Sequence, residues 1–79
     1  MEKRKNITGE RIREARQEKQ LLLVDVVAAL NVDYGIKLDT SALGRIERRQ
    51  RSINDYELLA HSRILEKPLE WFFQGTSME

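Results

Sequence analysis

Apolar positions along the chain recur in groups spaced three or four residues apart, and each group is bounded by residues that start or stop helices. Ile7 and Ile12 flank Thr8-Gly9-Glu10. There Thr8 is a candidate N-cap, Glu10 suits the positive helix end, and the two isoleucines are spaced as a hydrophobic staple. This predicts a first helix from Thr8 to about Lys19 with a thin apolar stripe, Ile12 and Ala15. Its other faces alternate Arg11, Arg13, Arg16 and Lys19 with Glu10, Glu14 and Glu18. The run LLLVDVVAAL, residues 21–30, is almost continuous, so period alone does not separate a buried strand from a buried helix. Its neighbours do. No second strand-like run exists to pair with it, and a lone strand leaves backbone groups unsatisfied. A short helix from about Leu23 to Leu30 is expected, with Val26, Val27 and Leu30 in the core.

Asn31 to Leu38, NVDYGIKL, holds Gly35 and turn-forming Asn and Asp, and reads as a connection of eight residues. Asp39 then caps a third helix, TSALGRIERR. Leu43 and Ile46 point inward and Thr40, Ser41, Gly44, Arg45 and Arg48 spread over the outer side. Asn54 with Glu57 three residues on is a capping box, and Ile53 with Leu58 a staple, for a fourth helix whose inner face is Leu58, Leu59, Ser62 and Leu65. A last short helix opens with Pro68 in its first turn, carries Leu69, Trp71, Phe72 and Phe73, and stops at Gly75. The expected organisation is all-α, a compact five-helix domain over residues 8–75, preceded by a basic arm (1–7) and followed by a frayed tail (76–79).

Composition narrows the class. Seventy-nine residues make one domain, near the size at which a single core becomes marginal. The absence of cysteine excludes disulfides and thiolate metal sites and points to a reducing, cytoplasmic setting. The basic start MEKRK is followed by the polar NITGERIREA where a secretion signal needs an apolar stretch. The apolar run is about half the ~20 residues that cross a bilayer as a helix, so no membrane association is expected. Net charge is only +1, yet residues 1–53 hold 12 Lys/Arg against 8 Asp/Glu, and residues 54–79 hold 2 against 5. A basic first two-thirds and an acidic end suit a polyanion met on one side.

Catalytic signals are absent: no glycine-rich phosphate loop, no metal-ligand cluster, and no nucleophile with a base. The single histidine, His61, lies one turn from Leu58 and Leu65 and reads as a satisfied, half-buried residue. Glu10 and Glu14 have basic neighbours at helical spacing and read as surface ion pairs. No cofactor, metal or small-molecule ligand is expected, nor is catalysis.

Three stretches in order, GERIREARQEK, LGRIERRQR and NDYELLA…LEWFF, resemble the lambda-repressor-like helix-turn-helix family of Cro, cI and XRE type over residues 8–75. The resemblance implies that the helix after Asp39 is the recognition helix, lying in the major groove of duplex DNA while the second helix crosses the backbone. Matched position by position, Thr40, Ser41 and Arg45 are implied to read bases, with Ala42 and Gly44 beside them. Arg forks onto guanine O6/N7, hydroxyls serve either base type, and Ala meets a thymine methyl. Arg48, Arg49 and Arg51, the arm residues Lys3, Arg4 and Lys5, and Arg16 are implied as phosphate anchors. Arg16 and Glu47 match a family ion pair that ties the recognition helix to the scaffold.

Five positions depart from the family pattern, among them Gly44, which costs a helix about 0.5–1 kcal/mol relative to Ala and removes a side chain from the DNA-facing side. Leu22 and Leu23 stand where a polar cap and a DNA-touching Gln are usual, and the expectation is that they fold inward against Val32, Tyr34, Ile36 and Leu38. Arg49 stands where the family has a left-handed Gly, and Val27 replaces a small Ala. Trp71, Phe72 and Phe73 read chiefly as core, and the resemblance implies that one of them is shared at a weak two-fold homodimer contact. The expected function is a sequence-specific, double-stranded-DNA-binding transcriptional regulator of bacterial or phage type, a repressor or toxin–antitoxin autoregulator. The alternative is a protein-interaction module on the same scaffold, using Leu22, Leu23 and the aromatic end for a protein partner.

Overall fold

A computed structural model describes residues 4–75 of the chain. Lys3 and the tail 76–79 lie outside the described residues. Four α-helices follow one another: α1 (Gly9–Glu18), α2 (Leu23–Tyr34), α3 (Thr40–Glu47) and α4 (Asp55–Ile64). A 3₁₀ segment, Leu69–Phe73, takes the place of the fifth helix. It is five residues long, too short to gain the cooperative hydrogen bonding of an α-helix, and Pro68 precedes it in extended conformation.

The capping signals of α3 and α4 operate as the sequence implied. Asp39 Oδ1 accepts the Ala42 amide at 2.7 Å. At α4, Asn54 Oδ1 accepts the Glu57 amide at 2.8 Å while Glu57 Oε1 accepts the Asn54 amide at 3.1 Å. At α1 the cap is different from the expected one. Asn6 Oδ1 accepts the amides of Thr8 (3.1 Å) and Gly9 (2.7 Å), whereas the Thr8 hydroxyl is buried with no partner among the described residues. Helix α2 runs one turn past Leu30, because Asn31 and Asp33 face solvent and cost a helix only tenths of a kcal/mol each, about 0.7 at most. Its stop is Gly35, left-handed at φ 65°, which shortens the expected connection to Gly35–Asp39.

The core gathers Ile12 and Ala15 of α1, Val26 and Leu30 of α2, Leu43 and Ile46 of α3, Ala60 and Leu65, and Phe72 of the 3₁₀ segment. Helix α3 lies against both α1 and α2, and α4 packs on α2 and the 3₁₀ segment. The inward stripe of α4 is rotated from the expected one. Glu57, Ala60 and His61 are buried with Ser62, and Leu59 is left 38% exposed. His61 is fully buried rather than half-buried. Its Nδ1 bonds the Glu57 carbonyl oxygen at 2.7 Å, and its Nε2 has no partner among the described residues. Burial pushes the imidazole below its ordinary pKa, against a smaller opposing effect of that hydrogen bond.

Candidate nucleic-acid interface

Helix α3 has two unlike sides because apolar residues occupy only one stripe of its eight residues. Leu43 and Ile46 are 1% and 0% exposed and hold it to the core, while Thr40, Ser41, Arg45 and Arg48 are exposed. Ser41, Arg45 and Arg48 follow one another at i, i+4 and i+7, which places them in one row along the helix. Arg45 Nη1 donates to Ser41 Oγ at 3.1 Å, so the guanidinium lies along that row. Two of the five positions assigned to base reading are not presented outward. Ala42 is buried against the scaffold, and Gly44 is covered by the Arg48 side chain, whose Nη1 would sit 3.1 Å from a Cβ at that position. A Cβ there would push the flexible guanidinium outward by a few tenths of an ångström.

Scaffold contacts hold α3 at both of its buried sides. Arg16 of α1 makes a two-pronged pair with Glu47, Nε to Oε2 at 2.7 Å and Nη2 to Oε1 at 3.1 Å. Its third donor, Nη1, bonds the Leu21 carbonyl oxygen at 2.8 Å. The carboxylate raises the Arg16 pKa above its ordinary value, chiefly through the hydrogen bonds. One guanidinium therefore joins α1, the turn before α2 and α3, and it is committed to the protein rather than turned toward a phosphate. Gly9 completes the junction. A Cβ there would lie 2.2 Å from the Ile46 carbonyl oxygen, so only glycine lets the start of α1 rest on the end of α3.

The arginines after α3 divide by what they touch. Arg48 is exposed, with Nε 3.4 Å from Gln50 Oε1. Arg51 is half-buried and pairs with Glu57 (Nη1 to Oε1, 3.2 Å), so it braces the start of α4. Arg49 takes the left-handed conformation at φ 65°, a turn that glycine makes without steric cost, and closes α3. Its amide bonds the Ile46 oxygen at 3.0 Å and the Gln50 amide bonds the Arg45 oxygen at 2.8 Å, the paired bonds of a Schellman stop. Arg49 Nε donates to the Asn6 carbonyl oxygen at 2.8 Å, and its own carbonyl accepts the Lys5 amide at 3.1 Å. Arg4 and Lys5 are exposed beside this turn.

The remaining assigned surface residues separate as well. Leu23 packs against the core, but Leu22 is 65% exposed at the start of α2. Asp25 Oδ2 accepts the Leu22 amide at 2.7 Å, and leucine, having no side-chain acceptor, returns nothing. At the aromatic end Phe72 is fully buried, and Trp71 lies under two cations, Arg11 at 3.6 Å and Lys67 at 4.7 Å from its ring centre. Phe73 is the most exposed of the three aromatics, at 45%. A separate apolar groove of about 330 Å³ opens between the end of α2 and α4, lined by Tyr34, Ile36, Tyr56, Leu59, Ala60 and Arg63. Sequence reading missed three contributors to the site: Asn6, Gly9 and the Arg11–Trp71 stack. The Asn6-Ile7-Thr8-Gly9 order carried a signal for the first, since Asn is a stronger cap than Thr.

Among the described residues no helix is long and apolar enough to cross a membrane, and no three His, Cys, Asp or Glu are grouped to hold a metal. No protein-family model matches the chain, and no curated protein matches it. Among solved structures, the chain is similar to the restriction-modification controller protein C.AhdI from Aeromonas hydrophila. The TM-score is 0.71 at 27% identity, over 84% of this chain and 91% of that one. The arrangement of α1–α4 is that of a lambda-repressor-like helix-turn-helix domain.

Proposed function

We propose that this helix-turn-helix domain is a sequence-specific regulator of transcription that binds double-stranded DNA through α3. The observation that carries the reading is the outward row Ser41–Arg45–Arg48, with Thr40 beside it, on a helix whose other side is fixed by Arg16–Glu47. An α-helix about 10–12 Å across enters a major groove about 12 Å wide. There Arg45 forks onto guanine O6/N7, Ser41 and Thr40 reach neighbouring bases, and Arg48 meets a phosphate. The likeness to a restriction-modification controller protein supports a regulatory role of bacterial or phage type. Repression follows where the occupied site overlaps a promoter, as in a repressor or a toxin–antitoxin autoregulator. A weak homodimer would read two half-sites about one helical turn, ~34 Å, apart. Such a contact would draw on the 3₁₀ segment, where Phe73 and Leu69 are 45% and 40% exposed.

A labelled random duplex titrated with the protein at two salt concentrations tests the reading by fluorescence anisotropy. Affinity should fall steeply with salt, with a logarithmic slope of about −0.9 for each phosphate neutralised. A second reading, a protein-interaction module, draws on exposed Leu22 and on the groove at Tyr34, Tyr56 and Leu59. It predicts no duplex binding, or binding indifferent to salt.

A further inference from the structure

We infer that Arg49 and Asn6 form a clasp that positions the cationic N-terminal arm beside the end of α3, and that Arg49 acts as a positioning residue there rather than as a phosphate ligand. The inference rests on the DNA-binding reading for its purpose and on the geometry for its existence. An arginine at a left-handed helix stop is the first observation: φ 65° suits glycine, and a side chain pays for the same turn in steric repulsion. Something must offset that cost, and the contacts of this arginine identify it. Its Nε holds the Asn6 carbonyl oxygen at 2.8 Å, and its carbonyl holds the Lys5 amide at 3.1 Å. The same residue thus grips the arm through its side chain and its backbone.

Asn6 closes the other half. Its Nδ2 donates to the Ile46 oxygen at 3.0 Å and to the Arg51 oxygen at 2.7 Å, one on each side of Arg49 in the chain. Its Oδ1 meanwhile accepts the first amides of α1. All four side-chain bonds are directed at backbone, so Asn6 joins the start of α1, the end of α3 and the turn toward α4 at one point. Two residues upstream of this joint the chain carries exposed Arg4 and Lys5. Held so, the arm meets the protein at the C-terminal end of α3, the end that also carries exposed Arg48. A tethered arm delivers those charges without the ordering cost that a loose one meets on binding.

Four proteins test the clasp: the unsubstituted chain, Arg4→Ala with Lys5→Ala, Arg49→Gly, and all three changes together. Glycine is chosen because it keeps the left-handed stop, so the urea midpoint should be unchanged or raised. Exchange of the Lys5 amide, whose bond to the residue 49 carbonyl loses the support of the neighbouring Nε–Asn6 bond, should accelerate in Arg49→Gly. Equal protection in the two proteins would overturn the clasp whatever DNA does. In the salt titration, neutralising Arg4 and Lys5 should reduce the slope by roughly 1.8, about 0.9 for each phosphate lost. Arg49→Gly should give a similar reduction on its own and none further in the combined variant. An additional loss of about 0.9 in that variant would show Arg49 sitting on a phosphate itself and would overturn the positioning role. Failure of the unsubstituted chain to bind duplex overturns the regulator reading, while amide exchange still decides the clasp.

Discussion

Replacing Glu47 by alanine removes both acceptors from the Arg16 guanidinium and leaves a cation held in place by the Leu21 carbonyl oxygen. The two side chains are 13% and 5% exposed, so water replaces little of what is lost. Breaking one partner of a desolvated pair costs about 3–5 kcal/mol; the edge of Arg16 that still meets solvent argues for the lower figure, about 3. A chain of this length has a total stability of about 4–12 kcal/mol, so the variant approaches the limit of folding. With a urea dependence of about 1–1.5 kcal/mol/M, the unfolding midpoint should drop by about 2–3 M. The single tryptophan, Trp71, docks the 3₁₀ segment on α1 and supplies the fluorescence signal. Replacing both partners by apolar residues, Arg16→Met with Glu47→Leu, should recover most of the loss, because no charge is then stranded. A cost below about 1 kcal/mol for Glu47→Ala alone would refute the argument, since that is the value of a solvent-screened pair.

Other outcomes follow from the same geometry. Gly9→Ala should destabilise by about 1–3 kcal/mol in a thermal melt, because the new Cβ meets backbone at Ile46 rather than a yielding side chain. His61 has a folded pKa below its ordinary 6.5, so the unfolded state binds more protons and stability falls as pH drops below about 6.5 toward the lowered value. His61→Leu should flatten that part of the stability–pH curve measured by urea unfolding. Arg45→Ala should narrow the affinity gap between preferred and random duplex by about 1–3 kcal/mol, whereas Arg48→Ala should weaken both alike, as read by competition anisotropy. Leu22→Gln should change stability by no more than about 0.5 kcal/mol in the same melt, since the side chain it replaces is mostly in solvent.

The sequence disclosed most where one residue type performs one local task. Asp39 and Asn54 accept helix amides, Leu43 and Ile46 fix the inner side of α3, and Gly35 provides a left-handed stop beyond the end that the apolar run marks at Leu30. Gln20, Arg49 and Glu66 also turn left-handed, with side chains that ordinarily avoid this conformation; Arg49 bonds the Asn6 carbonyl oxygen and Glu66 pairs with Lys19. At Arg49 only the family resemblance, which has glycine there, signals the turn. The rotation of α4 has a similar origin. Leucines 58 and 59 competed for the inner stripe, and Glu57 settled it by turning inward to bond Asn54 and Arg51, which carries Leu59 toward solvent. In the candidate interface, helical spacing was enough to expose Thr40, Ser41, Arg45 and Arg48. It gave no sign that Arg16 turns to Glu47, 31 residues away, a pair that only the family resemblance supplied, nor that Arg51, outside the helix, reaches over six residues to Glu57.

The central claim is that duplex DNA meets the outward row of α3, and amide chemical-shift mapping measures it directly. With ¹⁵N-labelled protein and added duplex, the shifts should concentrate at residues 40–51 and at Arg4 and Lys5, and should fade as salt is raised. Shifts confined to Tyr34, Tyr56, Leu59 and Arg63, or none at all with duplex in excess, would contradict it.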